Sequence, residues 1–245
     1  MAIYRSLNMA DDARHAIANG IFSAVTNDIP ELIQEHNLPT ANGSGLFRWN
    51  YINRNISQNL GGRFQSSYVK RGPWKFLILF EEQTGITFSV MTEKNLGRLQ
   101  QRLPNGIHYL ESLVVPNAGY DVMEGQLSLD VGKEPRDQTA IEKLREELLS
   151  EFVGIIKNHI LILFEYEYSR VLSARAVLLT PELGVAYTED WSQFLKKPYI
   201  IGKMSVTEDL KDDDAEPLVH LKSQKEKLLS EQLGRLPGEG VVANN

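Results

Sequence analysis

Apolar positions recur every three or four residues near the N-terminus, change to short continuous runs further on, and then return to helical spacing. Ala13, Ile17, Ile21, Val25, Ile29, Leu32 and Ile33 set the first rhythm and predict helix over residues 10–36. Pro30, which has no amide hydrogen, should break that run into two pieces. Residues 38–45, Leu-Pro-Thr-Ala-Asn-Gly-Ser-Gly, predict a loop. From Leu46, the positions Trp49, Ile52, Ile56 and Leu60 fall on one side of a helix that Gly61 and Gly62 should stop. Its opposite side carries Tyr51, Arg54 and Gln58, with Arg48 at the border.

Residues 74–82 and 86–91 predict the two strands of a hairpin, with Gln83, Thr84 and Gly85 in the turn. Thr92 can cap a following helix in which Leu96, Leu99 and Leu103 face inward and Arg98 and Arg102 do not. Residues 104–136 are rich in Pro, Gly and Asn and predict an irregular connection with one short strand near 125–131. A stripe of Ile141, Leu144, Leu148, Phe152, Ile155 and Ile156 predicts a helix over residues 138–158.

The pentapeptide Leu-Ile-Leu-Phe-Glu then occurs twice, at residues 77–81 and 161–165, with flanks that do not match. That predicts two similar buried strands rather than a duplicated domain. Residues 173–180 predict a further strand, and Val-Ala-Tyr-Thr-Glu-Asp-Trp-Ser-Gln-Phe adds a short strand and a helical turn. Residues 211–217, Lys-Asp-Asp-Asp-Ala-Glu-Pro, read as a solvated linker. Beyond it Leu218, Leu221, Leu228, Leu229, Leu233 and Leu236 mark a terminal amphipathic helix. The expected class is α+β, with antiparallel β-hairpins packed against amphipathic helices. One domain should span residues 1–210, with a sub-boundary near 104–136, followed by the acidic linker and terminal helix over 211–245.

Composition narrows the function. The 245 residues are 42% hydrophobic, enough for a sizeable core. The N-terminus has acids and an arginine where a secretory leader needs an apolar run, and no stretch approaches a membrane span, so a soluble cytosolic protein without a membrane partner is expected. With no cysteine there is neither disulfide nor thiolate chemistry. The net charge of −6 conceals an asymmetry: from His36 to Phe80 there is no Asp or Glu against six cations, Arg48, Arg54, Arg63, Lys70, Arg71 and Lys75. Extended to Leu110, the segment holds nine cations and three acids, a net +6, which leaves −12 for the rest. Screening confines each charge to about 8–10 Å, so an acidic chain can still attract a polyanion at one patch.

Neither G-x-G-x-x-G nor a phosphate-binding G-x-x-x-x-G-K-[ST] loop is present, and G-x-S-x-G is missing, so no cofactor is expected and serine-hydrolase chemistry has no anchor. His15, His36, His108, His159 and His220 are scattered without metal-ligand spacing. The best catalytic candidates are Glu165 and Glu167, two apart on a strand and therefore on one face, above Leu161 and Leu163, with Phe164, Tyr166 and Tyr168 on the other. Such a pair, joined by Glu81 or Asp130, could hold Mg²⁺ or Mn²⁺ for phosphodiester cleavage. The opposing reading is a strand leaving the core whose glutamates meet Arg170 or Arg175 across a hairpin, and no [DE]-x-K triplet lies on either candidate strand.

The acid-free segment interleaves its cations with Phe47, Trp49, Tyr51, Phe64, Tyr68, Trp74, Phe76 and Phe80. Cations suit phosphate, while amides and planar rings suit bases. The leading expectation is a non-catalytic protein binding nucleic acid or another polyanion through Arg48, Tyr51, Arg54, Gln58, Arg63, Lys70 and Arg71. The C-terminal helix is read as a surface for a protein partner or self-association. Two alternatives stand beside it: an inhibitor or adaptor whose basic face docks on an acidic protein, and a divalent-metal nuclease using Glu165 and Glu167.

Overall fold

Six strands form one sheet and follow each other across it in chain order: β1 (Gln65–Arg71), β2 (Trp74–Glu81), β3 (Ile86–Thr92), β4 (Asn158–Glu167), β5 (Arg170–Leu179) and β6 (Val185–Asp190). The computed structural model describes residue 4 and residues 6–101, 106–123 and 136–195. Every neighbouring pair is antiparallel except β3 and β4, which are parallel. Two three-stranded meanders therefore lie side by side, and a parallel join requires a crossover. That crossover carries α4 (Glu93–Gln101), α5 (Tyr109–Leu113) and α6 (Gln138–Leu149) onto one face of the sheet. The other face is covered by α1 (Asp11–Ser23) and α3 (Ser44–Leu60), with α2 (Ile29–Glu35) between them in sequence. This is an α+β fold whose mostly antiparallel sheet is covered on both sides.

Burial on both faces explains the apolar runs in β2 and β4, where period-two alternation would be expected of a half-exposed sheet. Leu79, Phe88, Ile160, Ile162 and Phe164 meet Ile17, Ile21, Ile52 and Ile56 of α1 and α3. Leu161, Leu163, Val177 and Leu179 meet Leu96, Leu99 and Leu110 on the opposite side. Helices α1 and α3 touch at Gly20: a methyl there would lie 2.6 Å from Ile56 Cγ1 and 2.9 Å from its backbone nitrogen. The repeated pentapeptide occupies different places, in the middle of the first meander (β2) and at the start of the second (β4), so it marks two buried strands and no duplicated unit.

Several elements differ from the sequence reading. The N-terminal run does divide into two α-helical pieces, α1 and α2, with Pro30 in the first turn of α2, but the join is a π turn at Ala24–Asp28 and not a loop. The helix expected over 138–158 ends at Leu149. Beyond it the Gln65 amide brackets Val153, donating to its carbonyl and accepting from its N–H, both at 3.0 Å, and holds the chain out of the helix. Ile155, a member of the expected apolar stripe, is consequently 79% exposed, while Phe152 and Ile156 pack against the core from the loop. The connection expected to be irregular holds α5, opened by a reciprocal cap between His108 and Glu111, and a 3₁₀ turn at Val115–Asn117. Strand β1, Gln-Ser-Ser-Tyr-Val-Lys-Arg, does not follow from the hydrophobic pattern: it is a polar edge strand that turns inward only at Ser67 and, in part, Val69 and Gln65. The strand near 125–131, Asp130, Arg102, Leu103 and the linker and helix over 211–245 lie outside the described residues.

Candidate functional site

The seven residues expected to meet a polyanion divide into two groups. Arg54 and Arg63 face acids brought in by α1 and the turn after it. Arg54 Nη2 lies 3.4 Å from Asp28 Oδ2, its Nε donates to Asn55 Oδ1 at 3.1 Å, and its guanidinium sits 4.5 Å over the Tyr51 ring. Arg63 donates to both oxygens of Asp12, at 2.7 and 2.8 Å, and lies 3.8 Å from the buried Glu81. The hydrogen bond from Arg63 holds the Asp12 carboxyl below the usual range. Arg48 donates to the Tyr166 hydroxyl at 2.5 Å with its guanidinium 4.1 Å over that ring, and Gln58 is exposed on the same helix. The segment is free of acids along the chain, but on α3 it is not free of acids in space.

Lys70 and Arg71 belong to the second group. They end β1, next to the two-residue turn at Gly72 and Pro73, and register places Lys70 directly opposite Lys75 and Arg71 opposite Trp74. Arg71 donates to the Ile107 carbonyl at 3.2 Å, which ties the hairpin to the loop before α5. No described carboxylate pairs with Lys70, Arg71, Lys75 or Arg98. Like charges directly opposite one another in a sheet cost stability, so a pair left uncompensated invites an anion. Tyr68 and Trp74 stand beside these cations, 50% and 52% exposed.

The same hairpin borders a cleft that sequence reasoning missed. β1 and β2 pair over seven positions, and β3 and β4 over seven, but β2 and β3 pair only at Leu79–Phe88, Phe80–Thr87 and Glu81–Ile86. Beyond those three the strands part. Trp74 to Ile78 have no partner on β3 and Ser89 to Thr92 none on β2. The gap opens a cavity of about 480 Å³ within the usual range of small-molecule sites, roughly 300–1,000 Å³. Trp49 reaches it from α3, Trp74, Lys75 and Phe76 from β2, Asn95 and Arg98 from α4, and His108 and Tyr109 from the start of α5; no carboxylate lines it.

One wall is a ladder of rings. Phe76 and Tyr109 have centroids 4.3 Å apart at 34°, and Tyr109 and His108 4.4 Å apart at 35°. The Tyr109 hydroxyl makes no hydrogen bond with any described residue, and burial raises its pKa, so it remains a neutral donor. Burial also lowers the His108 pKa, against the pull of Glu111, and Nδ1 accepts the Leu110 N–H at 3.2 Å. Helical spacing alone puts Arg98 on the outer face of α4, and the rings of α5 lie in a segment whose composition predicts an irregular connection.

Glu165 and Glu167 are exposed on the β4–β5 hairpin, at the same end of the sheet but past the last β3–β4 pair. A bulge lies between Glu165 and Tyr166, and Glu167 stands opposite Arg170. Arg175 is engaged elsewhere, with both oxygens of Glu93 at 2.5 and 2.8 Å. Glu81 sits at the other end of the sheet, level with Asn158, about 20 Å along β4 from Glu165. Among the described residues no group of three or more His, Asp or Glu is placed to hold a metal ion. His159 is fully buried between two hydroxyls, Thr87 Oγ1 at 2.9 Å from Nδ1 and Ser89 Oγ at 3.0 Å from Nε2, and burial lowers its pKa to about 3. No described helix is long and apolar enough to cross a membrane.

The chain belongs to a family of unknown function (DUF5986), whose model matches residues 6–235. No curated protein and no solved structure matches it.

Proposed function

We propose that this protein binds single-stranded nucleic acid, without catalysing a reaction on it, through the tip of the β1–β2 hairpin and the mouth of the adjoining cleft. The observation that carries the reading is the cross-strand pair of Lys70 and Lys75, unpaired with any described acid, on the strand face that half-exposed Tyr68 shares, with half-exposed Trp74 opposite Arg71 on the other face of the same hairpin tip. Cations track a phosphate backbone and flat rings stack bases, and the combination suits a single strand because its bases are free to splay. A duplex offers no such bases. The paired arginines of α3 and the turn after it, Arg54 and Arg63, serve the fold in this reading, and Arg48 is occupied by Tyr166.

Fluorescence anisotropy with labelled single-stranded RNA and DNA and with duplex, at two salt concentrations, tests it. Single strands should bind, with log K falling against log salt by about 0.7 for each phosphate neutralised. Trp74→Ala should weaken binding by about 1–3 kcal/mol if a base stacks there. Absence of binding at low salt would sink the proposal, and capture of an acidic polypeptide without nucleic-acid binding would transfer the hairpin to the adaptor reading.

A further inference from the structure

The cleft between β2 and β3, at about 480 Å³, offers an enclosed volume that a flat stacking platform does not need. A sheet that pairs continuously has no interior gap; here strands held firmly on their outer sides, by β1 and β4, come apart from each other. Along Trp74 to Ile78 every second residue must turn its N–H and C=O toward the gap, where no neighbouring strand receives them. The cavity thus joins three kinds of group: flat walls at Trp49, Phe76 and Tyr109, hydrogen-bonding edges along the parted strands and at the Tyr109 hydroxyl, and cations at Lys75 and Arg98. Apolar ligands would need neither the edges nor the cations, and inorganic anions would not need the rings.

We infer that the cleft is a pocket for one nucleotide: the base enters between the rings and the parted strands, and its phosphate stays at the mouth with Lys75 and Arg98. This rests on the single-strand reading and sharpens it, since a pocket taking one base out of line would give the protein a preference among bases that surface stacking lacks. The phosphate position also accounts for the absence of a carboxylate from the lining. Asn95, at the mouth on α4, supplies an amide able to both donate and accept.

The test uses the full-length protein and the four nucleoside 5′-monophosphates, with ribose 5-phosphate and inorganic phosphate as controls. Trp49 and Trp74 line the cleft while Trp191, the third tryptophan, is fully buried elsewhere, so quenching of tryptophan fluorescence reports entry. At least one monophosphate should quench and should compete with a labelled single strand, and ribose 5-phosphate should bind weaker by about fivefold or more because it lacks the base. Tyr109→Phe, which removes only the hydroxyl, should alter the ranking of the four bases, and Arg98→Gln should weaken all four alike while leaving the melting temperature unchanged. If ribose 5-phosphate binds as well as the nucleotides, or no monophosphate binds while single strands do, the pocket inference is wrong and the surface reading stands. Monophosphate binding without any single-strand binding would do the opposite, keeping the pocket for a free nucleotide and removing the strand.

Discussion

The two ends of the sheet are built on opposite principles. At one end, where β2 finishes and β3 and β4 begin, buried polar side chains are paired: Glu81 accepts from Thr84 Oγ1 at 2.8 Å with Arg63 nearby, His159 lies between two hydroxyls, and Asn117 accepts the His159 N–H and donates to the carbonyls of His159 and Leu179, all at 2.8 Å. Two glycines there lie against other groups, Gly85 against the Ile155 carbonyl and Gly154 against Phe80. At the other end, β2 and β3 part, Lys70 faces Lys75, and Tyr68 and Trp74 stand in solvent. Helix α3 spans both: its C-terminal half carries the arginine neutralised by Asp28, and its N-terminal half sends Trp49 into the cleft. The proposed binding draws on the open end, and the closed end shows what the chain does with buried polar groups that serve structure.

Acid should separate the ends most strongly. His159 is held neutral in the fold, with its pKa lowered to about 3 by burial, whereas the unfolded chain takes up a proton near pH 6.5. Its contribution to stability is therefore complete above pH 6.5 and is lost as pH falls toward 3, at up to about 1.4 kcal/mol per pH unit, or about 3 kcal/mol by pH 4. Urea unfolding across that range should show the decline. His159→Gln, less stable at neutral pH, should decline less steeply; parallel curves for the two proteins would refute the assignment.

Next in size is a pair of glycines, both at positive φ. Gly154 has φ 145° and a methyl there would lie 2.8 Å from the Phe80 ring; Gly72, in the hairpin turn, has φ 60° and nothing within 4 Å. Gly154→Ala should cost about 2–3 kcal/mol, from strain and overpacking together, and Gly72→Ala about 1 kcal/mol from strain alone. Equal costs, read from denaturation midpoints, would mean that the closed end is no tighter than the open one.

Most of this architecture is legible in the chain. The helices starting near Asp11, Leu46 and Gln138, strand β2 and the runs that form β3, β4 and β5 follow from spacing and hydrophobicity, because each buries a face that its own residues define. Strand β1 is not legible, since an edge strand of Ser, Tyr, Lys and Arg is fixed by hydrogen bonding to β2 and not by burial. The end of α6 is hidden for a similar reason: it is imposed by Gln65, a residue 88 positions away from Val153. The candidate site is half legible. Lys70 and Arg71, members of the acid-free segment, stand at the open end without a described acid, but counting charge along the chain cannot reveal that Asp12 and Asp28 return to Arg63 and Arg54. Nor can it reveal that Arg98, His108 and Tyr109 converge on a gap that exists only because two strands separate.

The smallest expected effect on the fold is the sharpest division between the two groups of cations. Lys70→Ala with Lys75→Ala removes a repulsion between directly opposed charges and should leave stability unchanged or raise it by a few tenths of a kcal/mol. Arg54→Ala removes a half-exposed partner of Asp28 and should lower stability by about 0.5–1 kcal/mol. For binding the order reverses. The lysine pair should flatten the salt dependence of single-strand binding by about 1.4 in log K per log salt, two phosphates' worth, whereas Arg54→Ala should leave slope and affinity where they were. Denaturation and anisotropy on the same preparations read both quantities. A double lysine variant that keeps the full salt slope would show that the phosphates lie elsewhere. An Arg54 variant that loses slope without losing stability would show that α3 meets the ligand in spite of Asp28, and that the whole acid-free segment works as one surface.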